Sequence, residues 1–406
     1  MGHMGGCDDE RDPDFGRAKS VLTAGPSAER SGRAVAWAAT MPGYRGGEGI
    51  RLAHPGSGVA VGAFEVAGRE DREAWEDGEL APGATRASGA GERSVQEEPD
   101  PWRTCFERDR DRILHASAFR RLAGKTQVFV FPADFQRTRL THALEVAQVA
   151  TAISRACRLN VALTEAIALG HDCGHGPGGH ASEEALSPYL DCGFDHATWG
   201  ADVTLAPLNL CRETVDGVRN HSWSRPAPST PEGEVVALAD RIAYSAHDFE
   251  DAVHSGVVDP SDLPSDVAAW CGARRPEQLR AFVADVVLST RARGSVCMSE
   301  QAGSALSRLR AFNYDRIYMR AASVEQSRSV IALLGALVSY YLEQPSARLG
   351  QASDEVMAIS GEGERVRAVV AYVAGMTDRF ACTKAVELLG WPRHRLPNGF
   401  DVPRDY

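Results

Sequence analysis

From Pro101 onward, apolar residues recur at intervals of three and four, the period of a helix with one buried face. Phe106, Ile113, Leu114, Ala118, Phe119 and Leu122 predict a helix over Phe106–Leu122. Leu140, Leu144, Ala147, Ala150 and Ile153 predict a second over Thr138–Leu159. Val161–Leu169 is a third, almost wholly apolar and closed by Gly170; Ser182–Leu190 is short, and Glu234–Val253 is long and amphipathic. The same period continues over Gln278–Arg291, Ser304–Leu342 and Val366–Leu389. Strand signals are few. Thr126–Phe131 is the best of them and reads as half of a hairpin. The pattern predicts an all-α fold: a helical bundle with additional C-terminal helices and at most a small β-hairpin. No internal repeat is visible.

Residues 1–95 carry no such period. They are rich in Gly, Ala, Arg, Glu and Pro, and Gly46-Gly47-Glu48-Gly49, Pro55-Gly56-Ser57-Gly58 and Ser88-Gly89-Ala90-Gly91-Glu92 punctuate them. Such a stretch reads as an irregular or partly disordered arm. The alternative is a segment ordered by packing on the body or on a neighbouring subunit. Met1-Gly2-His3-Met4 reads as partly a cloning remnant.

Composition narrows the class. At 406 residues the chain is long enough to bury a large core. A formal charge of −11 argues against nucleic acid as the main partner, since phosphate neutralisation needs a basic face. A small anionic substrate stays open, because a local arginine cluster can act inside an acidic protein. The nine cysteines include no C-x-x-C pair, so a reduced, cytoplasmic location is expected. No apolar run of about 18 residues or secretory h-region is present, so no membrane span or export signal is expected.

The chemistry is concentrated in one stretch. Gly170-His171-Asp172-Cys173-Gly174-His175-Gly176-Pro177-Gly178-Gly179-His180 places three imidazoles and a carboxylate among glycines, with Arg139 and His142 one helix earlier. Neutral imidazoles and carboxylates are ligands for Mn, Fe, Co, Ni, Zn or Mg. A His on one helix, a His-Asp pair ending another and an Asp on a third can converge in a bundle. His142, His171, Asp172 and Asp240 fit that plan. So, by spacing alone, do His221, His247, Asp248 and Asp315. Chemistry favours the first set, whose His-Asp pair ends an apolar helix beside the glycine-rich stretch; His247-Asp248 lies mid-helix and reads as an ordinary charged face. Arg108, Arg110 and Arg112 likewise read as a solvated face paired with Asp109 and Asp111.

Several segments in fixed order carry a resemblance. They are Asp109-Arg-Asp-Arg-Ile-Leu-His115, Phe119-Arg-Arg-Leu122, Gly124-Lys-Thr-Gln-Val128, Arg137-Thr-Arg-Leu-Thr-His142, Glu145-Val-Ala-Gln148 and Ala168-Leu-Gly-His-Asp172. Asn220-His221-Ser222, Thr230-Pro-Glu-Gly-Glu234 and Leu238-Ala-Asp-Arg-Ile-Ala-Tyr244 extend it. Together they resemble the dGTPase-type deoxynucleoside triphosphate triphosphohydrolases of the HD superfamily. The match covers roughly residues 101–255; beyond that only Leu309-Arg-Ala-Phe312 and Ile317-Tyr318 match.

The resemblance implies an HD-domain helical bundle, with an arm over 1–95, a catalytic core over 96–260, and a C-terminal region over 261–406 completing the same body. It implies one divalent metal held by His142, His171, Asp172 and Asp240, and hydrolysis of a dNTP to deoxynucleoside and inorganic triphosphate. His180 and Glu183 match the family's catalytic His–Glu couple, with Glu183 orienting His180, and His175 and His196 match histidines near the phosphates. Arg139 and Arg241 match phosphate-binding positions, Tyr244 and Asp248 match phosphate and 3′-hydroxyl contacts, and Gln127 matches a residue at the deoxyribose. A homo-oligomer, commonly a hexamer, is implied as well. The chain departs from the family at Gly178, where many relatives carry Phe, at Cys173, where they carry an aliphatic residue, and at Ala197, where Asn is common; Trp199 is expected to restore bulk near Gly178. These departures leave open a modified dNTP, a monophosphate or a cyclic nucleotide as substrate, and a non-catalytic nucleotide sensor is a further alternative.

Overall fold

The structure, a computed structural model, describes residues 32–58, 60–132, 136–344 and 361–399. The remnant expected at residues 1–4 lies outside them. The chain divides into two compact units, residues 1–66 and 67–406. The first contains helix α1 (Gly32–Thr40) and an antiparallel hairpin, β1 (Tyr44–Gly47) with β2 (Ile50–Leu52), in the register Tyr44↔Leu52 and Arg45↔Arg51.

Among the described residues, the regular elements of the second unit are all helices. It runs through α2 (Arg69–Glu79), α3 (Cys105–His115), α4 (Ser117–Arg121), α5 (Arg139–Cys157), α6 (Val161–Gly170), α7 (His180–Leu186), α8 (His196–Trp199), α9 (Arg212–Asn220) and α10 (Pro231–His254). It continues through α11 (Ser265–Cys271), α12 (Arg275–Arg293), α13 (Glu300–Asn313), α14 (Ala321–Glu343), α15 (Glu362–Ala374) and α16 (Asp378–Leu389). The fold is therefore all-α with one small hairpin among the described residues. No described helix is long and apolar enough to cross a membrane.

Helix α6 is central because its sequence leaves it no polar face. Leu163, Ala166, Ile167 and Ala168 are fully buried, and the helix packs against α3, α5 and α10. Asn160 fixes its start by accepting the Leu163 backbone N–H at 3.1 Å. Truncating one such side chain to Ala costs about 2–5 kcal/mol. One apolar cluster surrounds α3, α5, α6 and α10–α13; a second joins α7 and α8 to α14, α15 and α16. The groups of interest lie where these two clusters meet.

Several expectations change. Residues 67–95 pack into the body: Glu76 accepts from the Ala87 N–H and the Asn160 side chain, and Glu232 accepts both the N–H and hydroxyl of Thr85. Phe106–Leu122 is two helices broken at Ala116, and nothing in the local sequence marks the break. Helix α7 starts at His180 and ends at Leu186, short of Leu190. Ser304–Leu342 is interrupted by a widened turn over Tyr314–Tyr318, and Val366–Leu389 at Gly375-Met376-Thr377, where Thr377 caps α16. Thr126–Phe131 is not a strand. Apart from one bridge to Thr138, the start of this segment finds its partner in Asp378, whose Oδ2 accepts the Thr126 N–H and hydroxyl at 2.9 and 2.5 Å.

The arginines of α3 meet the expectation only at Arg110, which pairs with Asp111. Arg108 and Arg112 pair with Glu97, and Arg110 with Asp111, all only partly exposed. Asp109 turns inward to Arg93, at 2.6 Å, and accepts from Cys211 and Thr214.

Candidate functional site

Three helices bring the proposed metal ligands together. His142 lies one turn into α5, His171 and Asp172 follow the last turn of α6, and Asp240 lies midway along α10. The Nε2 of His142 is 3.1 Å from Asp240 Oδ1, and that of His171 is 3.7 Å from Asp240 Oδ1 and 3.5 Å from Asp172 Oδ1. His142, His171 and Asp240 offer ligand atoms all within 4.8 Å of one another, and Asp172 stands beside them through His171, a spacing that bonds of about 2.1 Å to one first-row divalent ion could span. His171 supplies the sharpest test of fit. Its Nδ1 is 2.7 Å from the Ala168 carbonyl oxygen, so the ring proton is committed there. Its Nε2 is buried with a free lone pair and no hydrogen-bond partner. That is how protein structure orients a metal-binding imidazole.

Electrostatics agree. Burial alone raises the Asp172 carboxyl, but Arg139, His171 and His175 outweigh it and hold it well below the usual carboxylate range. Asp240 is treated likewise: burial is overcome by the hydrogen bond from His142 and by the charges of Arg241 and His171. Both groups are carboxylate anions across the physiological range, the form a divalent cation would take.

The glycines between the histidines have steric causes. A Cβ on Gly174 would sit 2.0 Å from the His196 carbonyl oxygen, so only glycine lets the loop pass beneath α8. Gly178 and Gly179 have φ of +73° and +63°, and a Cβ on Gly179 would meet Arg139 Nη2 at 2.6 Å. Two buried groups outside the stretch clamp it. The Lys125 ammonium donates to the carbonyls of His175 and Ala374, and Asp378 Oδ1 accepts the Gly178 N–H at 2.8 Å.

A cavity of about 500 Å³ opens beside these groups. Gln127, Arg139, His142, Asp172, His175, His180, His196, Asp240, Arg241, Tyr244 and Asp248 all line it, so the structure brings nearly the whole candidate set to one concavity. His171 lies just behind, and Glu183 acts from the side. Glu183 bonds not to His180 but to His196: its Oε1 is 2.5 Å from His196 Nδ1 and 3.0 Å from the His196 backbone nitrogen. Burial would raise the Glu183 carboxyl, but His196 outweighs it and holds it at about 2. His175 stacks on His196, with ring centroids 3.8 Å apart, and meets His180 edge-on at 5.0 Å.

At the other end Asp248 is 3% exposed and accepts from Tyr318 at 2.5 Å. Burial pushes its carboxyl up to about 7, against the lowering effect of that hydrogen bond. The second His-Asp pair is thus buried rather than an ordinary charged face. His247 turns its Nδ1 to the Ala243 carbonyl, and Asp315 is exposed, so that set does not converge.

Gly178 and Trp199 do not relate as expected. Trp199 packs on Phe194, under the Arg367 guanidinium, and lines a separate cavity of about 170 Å³ with Arg121 and Lys125. The side chain facing Gly178 is Val330 of α14.

Among the cavity residues not expected from the sequence as site residues are His221, Arg310 and Tyr318. Each lies in a segment that carries the resemblance, so the signal was present. Arg310 donates to the Tyr244 hydroxyl at 2.6 Å, and the guanidinium carbons of Arg241 and Arg310 lie 5.3 and 5.1 Å from the Trp223 ring centroid and 5.8 and 5.9 Å from that of Tyr244.

Family models match in two places: the HD domain over residues 139–245 and the phosphohydrolase-associated domain over residues 296–387. The first contains all four metal candidates; the second contains Arg310, Tyr318, Val330 and Asp378. Curated relatives named deoxyguanosinetriphosphate triphosphohydrolase-like protein align over most of the chain. The one from Caldanaerobacter subterraneus is 41% identical over 327 residues, 79% of this chain and 95% of that one. One from Clostridium perfringens is 37% identical over 341 residues, 80% of this chain and 98% of its own. One from a Ruegeria species is 38% identical over 370 residues, 74% of this chain and 97% of its own. On the residues of its HD site and on these relatives, the chain belongs to the deoxyguanosinetriphosphate triphosphohydrolase-like family of HD-domain phosphohydrolases.

Proposed function

We propose that the protein hydrolyses a deoxynucleoside triphosphate, dGTP-like, to the deoxynucleoside and inorganic triphosphate by water attack on the α-phosphorus. One observation carries this reading. Among the described residues, eleven buried side-chain nitrogen and oxygen atoms find no hydrogen-bond partner, and six belong to this site: Gln127 Oε1, Arg139 Nε and Nη2, His171 Nε2, His175 Nδ1 and Asp248 Oδ1. Each such atom costs about 1–3 kcal/mol, so their concentration around one cavity indicates that a polar ligand supplies the partners.

A divalent cation (Mn, Mg, Co, Fe, Ni or Zn) held by His142, His171, Asp172 and Asp240 would supply Lewis-acid polarisation of a phosphoryl oxygen and a more acidic water. The side chains do the rest. Arg139 is fixed by Nη1 on Asp172 Oδ2 at 2.6 Å, which aims its other nitrogens at phosphate oxygens. Arg241 and Arg310 add positive charge for the phosphate chain from the α10 side. His180 opens to the cavity and gives a proton to the leaving 5′-oxygen. Desolvation of the His180 ring, with the charges of Arg139 and His196, presses its pKa down to about 4, and a triphosphate seated in the cavity counters that field. Gln127 and the Asp248–Tyr318 pair take the deoxyribose. The four standard dNTPs, a nucleoside monophosphate and a cyclic nucleotide, each incubated with Mn²⁺ or Mg²⁺ and resolved by anion exchange, test the reading. Inorganic triphosphate from at least one dNTP supports it; pyrophosphate or monophosphate as the sole phosphate product overturns it.

A further inference from the structure

Two cysteines 106 positions apart in the chain meet away from the catalytic cavity. Cys105 is the first residue of α3, and Cys211 immediately precedes α9. The Cys211 thiol donates to the sulfur of Cys105, and its own sulfur is 3.8 Å from the Cys105 carbonyl oxygen. The two helix starts are tied together at this point. Asp109 Oδ2 accepts the Cys211 N–H at 2.8 Å, while Arg93 meets Asp109 at 2.6 Å and donates to the Cys105 carbonyl at 3.0 Å. Gly91 leaves the room. A Cβ there would lie 2.6 Å from Cys105 Sγ and 3.4 Å from Cys211 Sγ, so both sulfurs border the space that a side chain would fill.

The two thiols differ in access. Cys211 is fully buried, whereas Cys105 is partly exposed and lines a surface cavity of about 590 Å³ with Gly91, Arg93 and Arg108. A small oxidant therefore reaches Cys105 first. The hydrogen bond to Cys105, together with burial, holds the Cys211 thiol protonated, well above the ordinary thiol range, against the opposing charge of Arg93. An accessible sulfur backed by a buried, protonated one is the arrangement of an oxidant-sensing cysteine beside a resolving cysteine.

We propose that Cys105 and Cys211 are a modification site for peroxides, at which Cys105 is oxidised and Cys211 closes a disulfide with it. The Cys105 sulfur attacks one peroxide oxygen, the O–O bond breaks, and the other oxygen leaves as water carrying the thiol proton. Cys105 is then a sulfenic acid. The Cys211 sulfur attacks the sulfur of Cys105, an S–S bond forms and the S–O bond breaks. The hydroxyl departs as a second water with the Cys211 proton. Two thiols have given up two electrons, and the peroxide has taken them. The new bond would join the start of α3 to the start of α9, whose far end carries His221 into the catalytic cavity. The inference is independent of the metal and of the substrate.

The test treats the folded full chain with hydrogen peroxide, blocks the remaining thiols with iodoacetamide in denaturant, and maps the peptides by mass spectrometry without reduction. The expected result is a peptide pair joined through Cys105 and Cys211, separated again by dithiothreitol. In Cys105→Ser, Cys211 is expected to remain a thiol and take the alkyl group. Exposed Cys192 reports the oxidant dose. Cys105 and Cys211 both alkylated at a dose that oxidises Cys192 overturns the proposal. So does Cys105 carried on to the sulfinic acid, or joined to any other cysteine, with Cys211 alkylated. Should Cys105→Ser fail to fold by circular dichroism, the wild-type peptide map decides alone.

Discussion

Glu183 holds His196 by two bonds, accepting from the ring Nδ1 at 2.5 Å and from the backbone N–H at 3.0 Å, although three residues along the chain it starts one turn from His180. The carboxylate thus fixes both the orientation of the imidazole and the start of α8. Its contribution to turnover is expected to pass through His196. Glu183→Gln keeps an acceptor oxygen and loses the charge, whereas Glu183→Ala loses both. Outer partners of functional histidines are worth about 10–100-fold. We expect a loss of that order in kcat/KM for Glu183→Ala and a smaller one for Glu183→Gln, measured by steady-state kinetics. Equal losses in the two variants would show that charge, not orientation, is what Glu183 provides.

Trp223 is 49% exposed, yet it positions two cations of the cavity. The guanidinium carbons of Arg241 and Arg310 lie 5.3 and 5.1 Å from its ring centroid, and its Nε1–H donates to the Ala237 carbonyl at 3.1 Å. Two like charges held side by side need such a ring, since they otherwise repel. Each contact is worth about 0.5–2 kcal/mol. Trp223→Ala is expected to raise KM about tenfold, equivalent to about 1.4 kcal/mol, with little change in kcat, and Trp223→Phe to recover most of it. An unchanged KM would remove Trp223 from any role in substrate binding.

The sequence makes the metal candidates legible because residue type and neighbourhood agree: His171-Asp172 ends a helix with no polar face, and glycines follow where the loop must pass under α8. It makes the partner of Glu183 illegible for a physical reason. An i, i+3 spacing states only that His180 and Glu183 share a helical face, whereas the side-chain direction is decided by α8, which arrives thirteen residues later. Thr126–Phe131 misleads in the same way, since alternating β-branched and aromatic residues fit a strand, but Asp378, some 250 residues away, takes the backbone donor that a strand partner would have used. His221 is hidden by symmetry: it sits in a second set with the same spacings, and only tertiary packing turns it toward His196 instead of Asp248.

Asp248 makes stability depend on pH. Its carboxyl is raised by burial from the ordinary value of 3.8 to about 7, so folding takes up a proton between those values. A raised folded pKa means that the full contribution is present below the ordinary carboxylate value and is lost as pH rises through about 7. The loss follows about 1.36 kcal/mol per unit, or at most about 4 kcal/mol. Asp248→Asn keeps the shape and cannot ionise. Thermal unfolding of both proteins from pH 5 to pH 8 is expected to show the wild type falling relative to the variant. Parallel curves would mean that Asp248 ionises normally in the folded state.

Val330 occupies the space that a side chain at position 178 would need. A Cβ there would lie 2.5 Å from Val330 Cγ1, and the backbone has φ of +73°, which any side chain strains. The strain costs about 1–3 kcal/mol, and the contact adds to it because Val330 is itself packed in the second apolar cluster. Gly178→Ala is therefore expected to lower the melting temperature, and Gly178→Phe to lower it further. Val330→Ala removes the contact but not the backbone strain. The double variant Gly178→Ala with Val330→Ala should be less destabilised than the sum of the two singles, by about 1 kcal/mol. Strict additivity in thermal or urea unfolding would mean that the loop moves away from α14 at no cost. An aromatic ring at this position, which the family resemblance leads one to expect, then has no room in this chain unless Val330 shrinks with it, which ties the shape of the cavity at Gly178 to a residue more than 150 positions downstream.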